Sequence, residues 1–325
     1  MIIPAYKPFD RFTFDDRTCF LSGNPTSPLH KLPVFPEWIT DTYGLADKPF
    51  KLLDETIVVY SDIEVIYSQD IIKQLYTLEK KIKTAFTAGY EHVKGLEQIE
   101  LFQWISKLVY GLIYHEIRTG LNNKALNGDG MDFSQSLVHK LSNLHLMLQS
   151  VIRNVVFEGV SPWTILIFPV NNPPSTFSYR DEVNTLTFSL KMHDFGIIAC
   201  LQDNNANEHY HKDILAKVGD KQLHPIQFEE LCGRFFYSAY LLNRLPQYTV
   251  LPLEDAIYIE SMPLGGMNSK PLFDAWQNKT YAQVLENFWK DWGYTRLEIN
   301  KDPEKPMSFI SDHAGNFISA ESIIL

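Results

Sequence analysis

Cysteine is scarce in this chain, whose 325 residues include only Cys19, Cys200 and Cys232. Three cysteines cannot form a disulfide framework, so we expect reduced thiols in a reducing compartment. No apolar run approaches the 18 or so residues of a membrane-spanning helix, and the longest runs, such as 163–168, have the length of a strand. The start has no charged region followed by an apolar stretch, so we predict no secretory signal. These absences favour a cytoplasmic location without membrane partners.

Basic residues are also in the minority. The chain has 29 Lys and Arg against 39 Asp and Glu, a net charge of −10, and acidic residues are in excess in both halves. A protein that neutralises a phosphate backbone usually has a strongly basic domain. Composition therefore argues against nucleic acid as a partner and leaves a protein partner or a homo-oligomer as the alternatives.

The motifs of several familiar enzyme classes are missing. The chain has no Gly-x-Ser-x-Gly elbow, no phosphate-binding glycine loop and no dinucleotide fingerprint. The stretch 127–132 (Asn-Gly-Asp-Gly-Met-Asp) has the composition of a calcium loop, but no register supplies its oxygen ligands and final Glu. We interpret it as a turn in which Asp132 caps the next helix. No cofactor is predicted, and we expect a protein that is not an enzyme.

Hydrophobic periodicity divides the chain into three predicted parts. Residues 1–68 combine proline, aromatic residues and short β-type runs, which predicts a small irregular module with a hairpin near Ser61 and Asp62. Residues 69–158 form a helical segment, and residues 159–325 alternate strand-sized runs with helical ones. The predicted class is α+β: an N-terminal module, a helical middle and a mixed α/β C-terminal part.

The predicted elements of the last two parts have approximate bounds. In the middle we predict helices from Gln69 to a stop at Gly89, and over 96–118 and 133–157, with a loop at 121–132. Further on we expect strands, helices and a closing hairpin. The strands are expected at 163–170, 185–190, 196–201, 248–251 and 256–260, the helices at 207–218, 225–245 and 281–292, and the hairpin at 308–319.

One region has a recognisable pattern. Cys19-Phe20-Leu21-Ser22-Gly23 is followed by Val34-Phe35-Pro36-Glu37-Trp38-Ile39. This order resembles the opening of HNH endonuclease-like treble-clef proteins, in which a Cys-x-x-Cys knuckle precedes an acidic-His dipeptide and a Pro-x-Trp helix start. In that family a second knuckle follows a hairpin and precedes a helix, the place of residues 63–75 here. The resemblance covers about a quarter of the chain.

The residues that carry the chemistry of that family are replaced here. The second knuckle position is Ser22, a neutral hydroxyl that binds zinc poorly, and no cysteine occurs between residues 20 and 199. The position of the catalytic His falls on Pro33, which cannot take a proton. The resemblance thus implies a degenerate module without zinc or nuclease activity. The alternative is that Cys19 is an ordinary buried residue in a turn and that 36–38 is an ordinary helix start. His30, in a proline-flanked loop, is a weak substitute for the missing base.

The densest group of titratable residues lies at 208–213, Glu-His-Tyr-His-Lys-Asp. His209, His211 and Asp213 are the candidate metal ligands, and His193 could approach them. On a helix, however, the rings of His209 and His211 point about 200° apart, so a solvated first helical turn is the competing interpretation. If these side chains converge in a pocket, the chain is an enzyme of a class that its motifs do not define.

A local basic patch is formed by Lys73, Lys80, Lys81, Lys83 and Lys94. It is typical of an exposed helix face, but a nucleic-acid binder could use this helix, 73–94, if exposed aromatic rings lay beside the charges. The first hypothesis is a cytoplasmic, bacterial-type binding or scaffold protein with the degenerate module. The enzyme near His209 comes second and the nucleic-acid binder third.

Overall fold

The computed structural model describes residues 5–11, 13–24, 29–127, 133–266 and 269–324. Helices take up 43% and strands 20% of the chain, arranged in several small sheets, which confirms the predicted α+β class. None of the described helices has both the length and the apolar character needed to cross a bilayer.

The α-helices and strands are as follows. The helices are α1 Pro8–Arg11, α2 Glu37–Tyr43, α3 Ile72–Ala88, α4 Tyr90–Lys94, α5 Gln98–Asn127, α6 Gln135–Leu148, α7 Ala206–Tyr210, α8 Lys212–Val218, α9 Pro225–Leu241, α10 Asn278–Phe288 and α11 Arg296–Ile299. The strands are β1 Leu29–Pro33, β2 Pro49–Lys51, β3 Ile57–Val59, β4 Glu64–Ser68, β5 Val155–Gly159, β6 Thr164–Pro169, β7 Ser178–Glu182, β8 Thr187–Met192, β9 Phe195–Cys200, β10 Tyr248–Pro252 and β11 Ile257–Ser261.

Contacts within the chain define two compact units. Unit 1 comprises 1–87, 96–159 and 247–261, and unit 2 comprises 88–95, 160–246 and 262–325. Unit 1 thus contains most of the predicted N-terminal module and helical segment. It also contains a short segment that returns from late in the chain, a long-range pairing that local patterns do not reveal.

The strands of the N-terminal region pair differently from the predicted hairpin. A 3₁₀ turn over Tyr60–Asp62 lies between β3 and β4, and these two strands do not pair with each other. Strand β3 pairs with β2, and β4 pairs antiparallel with the more distant β1, Leu29 facing Ser68 and Pro33 facing Glu64. Buried Val65, Ile66 and Tyr67 of β4 place this pair at the core. Along the chain the order is β1, α2, β2, β3, β4 and helix α3.

The central helix of unit 1 is α5, whose residues from Leu101 to Tyr114 are nearly all buried. The predicted helix end at 118 and the loop from 121 are wrong, because α5 continues through Gly120 to Asn127. A glycine in a helix costs only about 1 kcal/mol relative to alanine, which a long buried helix tolerates. Of the predicted turn at 127–132, Asn127 is helical and 128–132 lie outside the described residues.

Helix α6 is shorter than predicted at both ends. Ser134 caps it, its hydroxyl accepting from the Leu137 amide at 3.2 Å, so the cap is not Asp132, which lies outside the described residues. After Leu148 the chain forms a 3₁₀ turn and then strand β5 where the helix was expected to continue. The cause is tertiary: β5 pairs in parallel with β11, and β11 pairs antiparallel with β10.

Unit 2 is built on an antiparallel sheet in the order β6-β9-β8-β7. Every residue of β8 and β9 is buried, and α9 contacts both strands. Strand β7 was not predicted, because its residues, Ser-Tyr-Arg-Asp-Glu, are mostly polar and lack the pattern of a strand. The predicted helix over 207–218 is interrupted at His211, and the predicted hairpin at 308–319 is reduced to one bridge between Ser311 and Phe317.

Close packing of α9 on the sheet requires a glycine at position 196 of β9. A Cβ atom there would lie 2.3 Å from the Phe228 ring. We expect Gly196→Ala to lower the free energy of unfolding by about 1–3 kcal/mol, because a filled core resists an added methyl group. Urea unfolding measures the effect. Gly265→Ala is the control, because nothing lies within 4 Å of a Cβ at that position. Equal stability of the two variants would contradict this packing.

Candidate functional site

The segment that resembles a zinc knuckle forms a tight turn in unit 1. The Ser22 amide donates to the Cys19 Sγ at 3.5 Å, and the Gly23 amide donates to the Cys19 carbonyl at 3.0 Å. Gly23 has a φ of +72°, and the Tyr6 ring would lie 2.3 Å from a Cβ there, so this turn needs a glycine. The Phe20 amide donates to the Ile66 carbonyl at 2.7 Å, which ties the turn to β4.

The donor atoms at this turn do not suit zinc. Cys19 is fully buried and supplies one thiol. The hydroxyls of Ser22 and Ser68 lie 3.4 Å apart and hydrogen-bond to each other. Structural zinc sites use four ligands, mainly thiolate and imidazole, whereas serine hydroxyls remain neutral at physiological pH. A hydrogen bond between two side chains therefore joins the turn to the end of β4.

A buried histidine of α6 fixes the same turn from another side. The Nε2 of His145 lies 2.9 Å from the Phe20 carbonyl, which can only accept, so Nε2 carries the proton. Nδ1 is then an acceptor, and the Gln149 amide group donates to it at 3.3 Å. Burial lowers the pKa of His145 to about 4, so the ring is neutral. His145 is thus a neutral, hydrogen-bonded part of the core.

Pro33, the position that the resemblance assigns to the catalytic base, lines a cavity of about 250 Å³ in unit 1. The cavity lies between the end of β1, the start of α2, strand β4 and helices α3 and α5. Its lining is largely apolar, with proline and aromatic side chains and a few charged groups. The lining residues are Leu32, Pro33, Pro36, Glu37, Trp38, Tyr67, Leu75, Tyr76, Glu79, Lys83 and Lys107. His30 pairs with Tyr67 across the β1–β4 ladder but is not part of this lining.

The central polar group of the cavity is the carboxylate of Glu79. Its Oε1 accepts from the Trp38 indole at 2.7 Å and from the Trp104 indole at 3.2 Å, and its Oε2 accepts from the Lys107 ammonium at 2.7 Å. Burial alone would raise the pKa of Glu79, but the charge and hydrogen bond of Lys107 and the two indole bonds lower it. Glu79 is therefore ionised and held in one position.

One feature of the sequence points to this carboxylate. Glu79 is the only acidic residue of α3, and it comes directly after Leu78, a residue of the buried face of this helix. A carboxylate so close to a buried face needs a charged or hydrogen-bonding partner. Local patterns cannot identify that partner, because Lys107 and Trp104 lie on a different helix.

The lysine patch does not form one continuous helix. Helix α3 ends before Gly89, as predicted, and Lys94 belongs to α4 in unit 2, where it pairs with Asp220 at 2.7 Å. Lys81 pairs with Glu100. Lys73, Lys80 and Lys83 are exposed and fall within about 80° on one face of α3, together with Tyr76, which is 59% exposed.

The histidine-rich segment of unit 2 does not converge into a ligand set. His209 and Asp213 are exposed, whereas His211 is buried. His193 lies in the turn between β8 and β9 with a φ of 47°. Within the described part of the chain, no group of three or more His, Cys, Asp or Glu side chains is placed to hold a metal ion.

His211 instead joins a buried hydrogen-bond network. Its Nε2 lies 2.9 Å from the Ser238 hydroxyl, which donates to Asn207 Oδ1 at 2.6 Å. The amide of Asn207 donates to Asp203 at 3.0 Å, and Thr164 donates to the same carboxylate oxygen at 2.8 Å. Burial lowers the pKa of His211 to about 3 and raises that of Asp203 to about 6. Such a network fixes the start of α8 against α9.

The buried cysteines of unit 2 have the character of core residues. Cys200 and Cys232 are buried, and burial raises the pKa of each thiol, so neither is a thiolate nucleophile at neutral pH. Comparison with known proteins does not add to these geometric observations: no family model, curated protein or solved structure matches the chain.

Neutral His145 makes stability depend on pH. Its pKa is about 4 when folded against 6.5 in the unfolded chain, so unfolded protein binds more protons between these values. The contribution of His145 to the free energy of unfolding is therefore complete above pH 6.5. It falls by roughly 3 kcal/mol as the pH drops towards 4. We expect His145→Gln to flatten this dependence in urea unfolding followed from pH 7 to 4.5.

The matched control is His139→Gln, which changes an exposed histidine of the same helix. It should leave the pH dependence unchanged. A wild-type stability that does not fall on acidification, or one that falls equally in His145→Gln, would show that His145 is not held neutral.

Proposed function

We propose that the chain is a non-catalytic binding or scaffold protein whose unit 1 contains a degenerate HNH-like module that folds without zinc. The observation that carries the proposal is the hydrogen bond between Ser22 and Ser68, 3.4 Å apart, at the Cys19 turn. In a pair of zinc knuckles these two side chains would face a common ion. Here they form a hydrogen bond with each other.

The neighbouring elements support the same interpretation. An antiparallel strand pair, β1 and β4, lies before helix α3, where the HNH resemblance implies a hairpin, although α2, β2 and β3 separate the two strands along the chain. Ser68 and Ile71 have the three-residue spacing of a second knuckle, and Ile71 lines the same cavity of about 390 Å³ as Ser22. Pro33 takes the place of the general base, so the module has no group there to activate water.

Metal analysis of the purified, untagged protein tests this proposal. We expect well below one equivalent of zinc and no cleavage of DNA by the wild-type chain. The triple variant Ser22→Cys, Ser68→Cys and Ile71→Cys would join Cys19 in a four-thiolate set, and we expect it to bind about one zinc per chain.

Adding Cys19→Ser to the triple variant gives the matched control, which should lose most of the zinc. One equivalent of zinc in the wild-type protein, or DNA cleavage that His30→Ala abolishes, would refute the degenerate module. A soluble, folded triple variant without zinc would show that the Cys19 turn and the segment from Ser68 to Ile71 do not form a pair of zinc knuckles.

A second candidate function is binding of single-stranded nucleic acid by α3. Tyr76 is exposed beside Lys73, Lys80 and Lys83, the combination of aromatic ring and positive charge that stacks bases and contacts phosphates. The net charge of −10 opposes it, so the interaction would be confined to this face.

A fluorescent oligothymidylate titration checks this second function. We expect Lys73→Gln with Lys80→Gln to weaken binding about tenfold and to reduce the slope of log affinity against log salt by roughly one to two. Lys51→Gln with Lys301→Gln removes the same charge elsewhere and should change neither quantity. Binding that does not weaken with added salt would eliminate α3 as an electrostatic binding face.

A further inference from the structure

The cavity at Pro33 has hydrogen-bonding groups whose capacity the protein does not fully use. Tyr67 lines it and is 3% exposed, and its hydroxyl, which has no hydrogen-bond partner among the described residues, remains accessible from the cavity. The Tyr67 hydroxyl can therefore bond to a ligand that enters the cavity.

Lys107 presents further donors in the same cavity. Its side chain is 12% exposed, and one of its three N–H groups is donated to Glu79. Glu79 already accepts three hydrogen bonds, two of them from indoles that hold it in place. Donors thus exceed acceptors in the interior of the cavity, so the group that completes it is an acceptor.

Charge near the opening favours a negatively charged acceptor. Lys83 lines the cavity, and Lys80 lies one turn away on the same exposed face of α3. Glu37 also lines the opening and opposes them; water screens all three exposed charges, and the two lysines leave a positive excess. Inside, Lys107 neutralises Glu79.

The walls and the size of the cavity define the rest of the ligand. Trp38, Leu75 and Pro36 supply apolar surface, and Tyr76 stands at the exposed edge. The volume of about 250 Å³ is below the roughly 300–1,000 Å³ typical of pockets for drug-sized ligands. A single ring with one short substituent fits this space.

We propose that the Pro33 cavity binds a small oxyanion carried on a single planar ring, an aryl carboxylate or an aryl phosphate, with the oxyanion on Lys107 and Tyr67. The proposal rests on the proposed function, because it makes the site of the lost general base a binding pocket. The ring packs between Trp38 and Leu75, and Lys83 attracts the anion to the opening.

Titration of the full chain with phenylacetate and with phenyl phosphate, followed by protein-observed NMR, tests the proposal. We expect saturable one-to-one binding of one of the two, and which one binds distinguishes carboxylate from phosphate. Phenylacetamide, which has the same shape but no charge, should bind at least about tenfold more weakly, because it cannot form charge-assisted hydrogen bonds.

Variants locate the site. Tyr67→Phe removes one hydroxyl, and we expect affinity to fall about three- to tenfold. Lys107→Met alone would leave Glu79 without its counter-ion and could unfold the chain, so it is combined with Glu79→Gln. This double variant should lose binding more than tenfold while retaining a folded spectrum. Lys51→Gln, on the exposed strand β2 of the same unit, should bind as wild type does.

Three results would overturn the proposal: no saturable binding of either probe up to 10 mM, equal affinity for phenylacetate and phenylacetamide, or unchanged affinity in Tyr67→Phe and in the double variant. None of these measurements depends on zinc. The proposed function fails on zinc content or DNA cleavage, whereas the pocket fails on ligand binding, so the two failures are distinguishable.

Discussion

One ionised carboxylate, Glu79, connects three helices of unit 1. It lies on α3, accepts the indole of Trp38 from α2 and receives Trp104 and Lys107 from α5. An ion removed from water must have its hydration replaced, and these donors replace it at fixed distances. The positions of α2 and α5 relative to α3 therefore depend on this group, and so does the shape of the cavity at Pro33.

The buried network around His211 in unit 2 responds to pH differently. This network, from His211 to Asp203, contains a histidine and a carboxyl whose pKa values burial shifts in opposite directions, towards neutral forms. As the pH falls below 6.5, the two groups change the free energy of unfolding in opposite directions. The contribution of neutral His211 decreases, whereas that of the Asp203 carboxyl increases. Among the described residues of unit 1, no carboxyl with a raised pKa offsets the low pKa of His145, and Glu79 is ionised.

Sequence patterns predicted what short stretches determine by themselves. Helix α3 with its stop at Gly89 and the strands β6, β8 and β9 follow from periodicity and turn residues. Pairings between distant segments were not predictable: β1 with β4, and β5 with β11, depend on contacts that no local window contains. The Cys19 turn was visible in the sequence, but the Ser22–Ser68 bond and the Glu79 partners required coordinates.

The late return of the chain to unit 1 has a consequence for its synthesis. Strand β5 ends at Gly159, but its sheet partner β11 begins at Ile257. A ribosome that adds roughly 5–20 residues per second needs about 5–20 s to make the intervening segment. During that time strand β5, with its apolar residues Val155, Val156 and Phe157, has no partner strand. An unpaired strand edge of this kind can pair with other chains. Nascent chains therefore pass through an aggregation-sensitive interval that ends only when residues 257–261 emerge.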